Sequence, residues 1–188
     1  MNAQVFKASS FLIALVAMSG CSNRADKLPH YSLVPDFSMT DTDGRAFHSS
    51  QLKGKVWVAD FIYTNCPAAC PLMSSKMKRF SGQVHSDVRL VSISVDPEHD
   101  TPAALKTFAA RYGAPTLQWT FITGSAETVH LLAWSTFHLG DVISKMEHST
   151  KFALVDQRGV VRGYYSSFDA DGMASLLRDA NALSDDKS

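Results

Sequence analysis
The sequence predicts an α/β fold, a layered sheet in which strands alternate with helices. Three observations carry this expectation. Residues 56–63 (VWVADFIY) are a continuous apolar run rich in β-formers, as a central buried strand requires. Met73, Met77 and Phe80 then fall at i, i+4 and i+7, on one face of a helix. Near the end, residues 151–156 and 160–165 flank Gln157-Arg158-Gly159 as an antiparallel hairpin. The chain has 188 residues, 45% hydrophobic and 19% charged, which suits one globular domain plus appendages.

The elements follow in order. Phe37-Ser38-Met39 and Arg45-Ala46-Phe47 alternate around Asp41-Thr42-Asp43-Gly44, which predicts a short hairpin. After the strand at 56–63, Pro71 suits the first turn of a helix. Residues 88–95 alternate as a second strand, which Asp96-Pro97 ends. Thr101-Pro102 is a capped helix start, and that helix stops near Gly113. Residues 119–123 read as a third strand. Residues 125–137 read as a helix with Val129, Leu132 and Ala133 on one face. Residues 140–150 are irregular, the hairpin follows, and residues 169–183 form a last amphipathic helix. The order β-α-β-α-β-β-α, preceded by a hairpin, suits a sheet of thioredoxin type with an added N-terminal β-hairpin.

The N-terminus has the marks of an export signal. Lys7 precedes an apolar run over residues 11–18, too short to span a membrane, and Ser19-Gly20-Cys21 follows. A cysteine directly after small residues resembles the bacterial lipoprotein signal, with Cys21 acylated and residues 1–20 removed. Such an anchor holds a domain at a membrane without a spanning helix. Residues 21–33 are polar and lack periodicity, so they are expected to be a flexible tether. The folded domain is expected over residues 34–184, with a polar tail at 185–188. Lys+Arg and Asp+Glu are 18 each, so the net charge is zero and no basic face for nucleic acid is indicated.

The candidate site is Thr64-Asn65-Cys66-Pro67-Ala68-Ala69-Cys70-Pro71, where the first central strand meets the first helix. Ligands gather at the carboxyl ends of strands in such sheets. Pro71 disfavours a helical Cys70 and is expected to hold it near the N-cap, with Cys66 in the loop above. The helix N-terminus favours thiolate there. Two such sulfurs form a disulfide or bind a soft metal, but not both at once. A structural disulfide is the blander alternative. His148 precedes the hairpin strand, in a loop expected beside the thiols, and an imidazole would complete a two-sulfur, one-nitrogen set suited to copper. Asp96, after the second strand, is a turn residue or a group supporting the thiol loop or a partner contact. Met73 and Met77 read as core.

Tyr63-Thr64-Asn65-Cys66-Pro67-Ala68-Ala69-Cys70-Pro71, then Ser94-Val95-Asp96-Pro97-Glu98-His99-Asp100-Thr101-Pro102, then Glu147-His148-Ser149-Thr150 together resemble the Sco/SenC family over residues 35–183. The resemblance implies a thioredoxin-like fold and a copper site of Cys66, Cys70 and His148. It also implies delivery of copper to, or reduction of, the dinuclear copper centre of cytochrome c oxidase subunit II. Asp96 maps onto the family's Asp-Pro motif. Glu147 stands where Asp is common, and a lipidated Cys21 replaces the spanning helix of many members. The location implied is extracytoplasmic, where a thioredoxin-like reductant must open a Cys66–Cys70 disulfide. The alternative is a thiol–disulfide oxidoreductase, which needs both cysteines but not His148. A peroxiredoxin-like peroxidase fits poorly, because Thr64-Asn65-Cys66 has the wrong spacing.

Overall fold
The computed structural model describes residues 24–114, 117–139 and 150–186. Seven strands make one sheet: β1 (Ser38–Asp41), β2 (Ala46–His48), β3 (Trp57–Ile62), β4 (Arg89–Ser94), β5 (Trp119–Thr123), β6 (Lys151–Val155) and β7 (Val161–Ser166). Their order is β2-β1-β5-β4-β3-β6-β7. β3, β4 and β5 pair in parallel, and every other neighbour is antiparallel. The helices are α1 (Ala69–Ser81), α2 (Pro102–Arg111), α3 (Ala126–His130) and α4 (Ala170–Asp185). This is the predicted α/β arrangement, with the N-terminal hairpin added beside β5.

All six residues of β3 are buried, as an apolar run covered on both faces must be. Val58 and Ile62 face one core layer with Met73, Met77 and Phe80 of α1, Leu105 and Phe108 of α2, and Leu176 of α4. Trp57, Ala59 and Phe61 face the other, with Val129, Leu132 and Phe137. Met73 and Met77 are therefore core residues. Thr101, Ser125 and Asp169 accept backbone N–H bonds at the starts of α2, α3 and α4.

Three expectations need correction. The helix expected over 125–137 is α-helical only to His130 and continues as a π-helix, Leu131–Thr136. There the Thr136 hydroxyl donates to the Leu131 carbonyl, five residues back. The last helix runs to Asp185, past its expected end at 183, and the Gln157 side chain donates to the Asp186 carbonyl at 2.9 Å.

The third correction concerns the tether. Residues 24–33 lie packed on the domain, and Ala25 is buried in its core. Buried Arg162 donates to the carbonyls of Ala25 (2.8 Å), Leu28 (3.1 Å) and Pro29 (2.8 Å), and to Asp156 Oδ2 (3.0 Å). A buried guanidinium needs acceptors, and this strap supplies three. Arg24 pairs with Asp179, which also accepts from the Tyr165 hydroxyl at 2.7 Å. Tyr31 N–H donates to Val161, and Val161 N–H to Ser32, so the strap pairs with the sheet edge at β7. Residues 21–23 lie outside the described residues.

Candidate functional site
The turn after β3 places the thiols. Cys66 N–H donates to the Tyr63 carbonyl at 3.3 Å and closes the turn. Ala68 is the N-cap of α1 and supplies no side-chain acceptor to the helix start. Cys66 fills that role: its Sγ accepts the Cys70 backbone N–H at 3.3 Å. Cys70 lies inside the first turn of α1 rather than near the N-cap. Proline is tolerated in a first turn because no intrahelical partner awaits its missing N–H. That offsets the bias of Pro71 against a helical Cys70.

Cys66 and Cys70 are not joined in a disulfide and are both buried, and Cys66, at 7% against 0%, is the more exposed. Burial pushes the Cys66 thiol up. Hydrogen bonds from the backbone of Cys70 and Ala68, and from the Cys70 and Tyr63 side chains, outweigh that and hold it below its ordinary value. Burial pushes Cys70 far above the ordinary thiol range. The Tyr63 N–H at 3.5 Å offsets this only in part, and the bond to Cys66 and the charges of Cys66 and Asp60 add to the rise. The hydrogen bonds favour the thiolate form of Cys66, and burial favours the thiol form of Cys70.

Asp96 is bonded to neither cysteine. Its carboxylate accepts from Asp96's near neighbour His99, at 2.9 and 3.0 Å to Nδ1. Its charge, after burial, the bond to Cys66 and the charges of Cys66 and Cys70, helps raise the Tyr63 hydroxyl. Asp96, Glu98 and His99 bring their ligand atoms together within 4.8 Å. His148 and Cys21 lie outside the described residues. So does Glu147.

Sequence reasoning missed two buried carboxyl groups. Asp60 sits on β3 between Val58 and Ile62, fully buried beneath α1. Its position in an apolar strand is the one signal the sequence offers. Asp100, also 0% exposed, holds Thr64, two residues before Cys66. Its placement between a strand and a Thr-Pro helix start made it look like a turn residue.

The donor chemistry fits a soft metal: two sulfurs close in sequence at a helix N-terminus, one of them accepting a backbone N–H that favours its thiolate form. The same pair also suits disulfide exchange. No described helix is long and apolar enough to cross a membrane.

Comparison with known proteins follows this geometry. A family model described as SCO1/SenC matches residues 25–180. A relative from Stutzerimonas stutzeri, named for copper binding, is 31% identical over 163 residues, 80% of this chain and 78% of its own. The solved SCO1/SenC family lipoprotein of Bacillus anthracis is 34% identical with a TM-score of 0.74, covering 84% of this chain and 97% of its own. BsSco, described as a Sco-family cytochrome c oxidase assembly protein with a disulfide switch, is 32% identical. Its TM-score is 0.74, with 84% of this chain and 96% of its own covered.

Proposed function
The chain belongs to the SCO1/SenC family, and from that premise we propose that it is a copper-binding assembly factor for cytochrome c oxidase. Copper is its cargo, held by Cys66, Cys70 and His148 and passed to the dinuclear centre of subunit II. The observation that carries this is the thiol pair at the start of α1: the sulfur of the slightly exposed Cys66 accepts the Cys70 backbone N–H, and Cys70 itself is wholly buried. Thiolates select copper in its reduced form, and imidazole accommodates either oxidation state. The domain is anchored outside the cytoplasm through acylated Cys21, and a thioredoxin-like reductant keeps the pair open. The relatives' printed roles in copper binding, oxidase assembly and lipoprotein anchoring support this reading.

Copper competition against a chelator tests it. Reduced protein should bind one copper per chain, and the Cys66–Cys70 disulfide none tightly, since disulfide sulfurs are weak donors. His148→Ala should weaken copper at least tenfold. Equal affinity of the reduced and oxidised forms would remove the cysteines from the site.

The asymmetry of the two thiols favours a second activity, reduction of a client disulfide. Cys66 thiolate attacks one client sulfur and expels the other as thiolate, forming a mixed disulfide. Cys70 then attacks Cys66, its proton passing to the departing client sulfur, while the client's first thiolate takes a proton from water. Two electrons pass to the client, which leaves as a dithiol, and a Cys66–Cys70 disulfide remains. This step does not use His148, so His148→Ala should retain it.

A further inference from the structure
The geometry points to Asp100 as the positioning residue of the thiol loop. Its two carboxyl oxygens face three donors from the two loops that flank the site. Thr64 backbone N–H lies at 3.2 Å from Oδ1 and 3.1 Å from Oδ2. The Thr64 hydroxyl donates to Oδ1 at 2.5 Å, and the Ser94 hydroxyl to Oδ2 at 2.6 Å. Ser94 in turn accepts the Asp96 N–H at 3.1 Å. Asp100 thus ties the turn carrying Cys66 to the end of β4 and to the Asp96 loop.

Its mounting is rigid. Asp100 N–H donates to the Asp96 carbonyl at 2.8 Å, and the next residue, Thr101, caps α2. The clamped residue, Thr64, lies inside the turn that the Cys66-to-Tyr63 bond closes. Fixing Thr64 therefore fixes where Cys66 Sγ meets the start of α1.

The energetics say what the group is for. Burying a carboxyl group costs several kcal/mol unless a cation or enough donors compensate. Among the described residues no cation pairs with Asp100. Its donors compensate it, but hydrophobic residues of the same volume would do as well for stability. What they would not do is hold a backbone N–H and a hydroxyl of one loop residue at the same point. Asp100 is spent on position.

The inference rests on the reading of Cys66 and Cys70 as the working pair, and its test separates the two. Asp100→Asn, Thr64→Val, the double variant and Thr64→Ser would be compared as full-length chains, each checked for folding by circular dichroism. In the metal-free reduced protein, iodoacetamide labelling should fall on Cys66 before Cys70, and the labelling ratio reads the placement of the pair. The ratio should drop at least fivefold in Asp100→Asn and in Thr64→Val. The double variant should lie within twofold of the larger single effect, because both changes break one linkage. Thr64→Ser, which restores the hydroxyl, should behave as the original. Copper affinity should weaken in the same pattern. Folded single variants with an unchanged ratio, or single effects that multiply in the double variant, overturn the positioning role. A chain that binds no copper yet shows the ratio pattern overturns the copper reading and upholds Asp100.

Discussion
Replacing Asp60 with Asn should change how stability depends on pH. Asp60 lies wholly within the core; its Oδ1 accepts from the Ser92 hydroxyl at 2.6 Å, and Ser92 accepts from Trp119 Nε1 at 2.9 Å. Oδ2 is a buried oxygen with no hydrogen-bond partner among the described residues. Burial pushes the carboxyl from 3.8 up to about 7, more than the Ser92 bond pulls it down. A rise of about 3 pH units corresponds to about 4 kcal/mol at ~1.4 kcal/mol per unit. The sign follows from which form the fold prefers. Below 3.8 both folded and unfolded chains carry the proton, and the favourable neutral form is fully present. Between 3.8 and about 7 the unfolded chain ionises first, so stability falls as pH rises. Above about 7 the loss is complete.

Asn cannot ionise and so removes the slope. Its amide places a donor where Oδ2 has no partner, at a cost of about 1–3 kcal/mol. The original chain should therefore be the more stable at pH 5. Its advantage should shrink by about 2–3 kcal/mol by pH 8, following the linkage relation. Urea unfolding of the reduced, metal-free proteins, read by tryptophan fluorescence, measures both curves. Parallel curves from pH 5 to pH 8 would refute the reasoning, because they mean that Asp60 titrates alike in the folded and unfolded chain.

Two further changes probe the packing around the site. Arg162→Met should take a donor from the carbonyls of Ala25, Leu28 and Pro29 and break the buried pair with Asp156, costing about 3 kcal/mol and exposing the strap to trypsin at Lys27; unchanged cleavage would mean the edge pairing alone suffices. Gly172→Ala should lower the melting temperature, since a Cβ there meets the Ser166 carbonyl oxygen at 2.7 Å and backbone cannot turn aside. The expected loss is about 1–3 kcal/mol, and an unchanged melting temperature would show that α4 lifts freely from β7.

The layered sheet was legible because each central element announced itself locally: the apolar run of β3, the Met73-Met77-Phe80 face, and the capped helix start at Thr101. The thiol pair was legible for the same reason, being one short segment at a strand–helix junction. Asp100 was not, because its function lies in reaching Thr64, 36 residues away, and turn composition hides that. The strap was hidden more completely. Its docking runs through backbone carbonyls and N–H groups, which every residue has, so its polar side chains read as a linker. Cys70 was placed a little early because the bias imposed by Pro71 was weighed without the tolerance of a first helical turn.

The strap also sets how far the domain can wander. Arg24 is already engaged with Asp179, so only Ser22 and Asn23, three Cα-to-Cα steps, separate it from Cys21, the proposed acyl anchor. At ~3.6 Å per residue that is a leash of about 11 Å fully extended, against about 47 Å for a free segment of 13 residues. The volume a tethered body searches grows with the cube of its reach, so docking the strap shrinks it on the order of 80-fold. With Cys21 acylated as proposed, the domain would stay close to the bilayer, where its local concentration would be correspondingly high. Releasing the grip of Arg162 on three carbonyl oxygens would lengthen the leash and dilute the domain away from that surface.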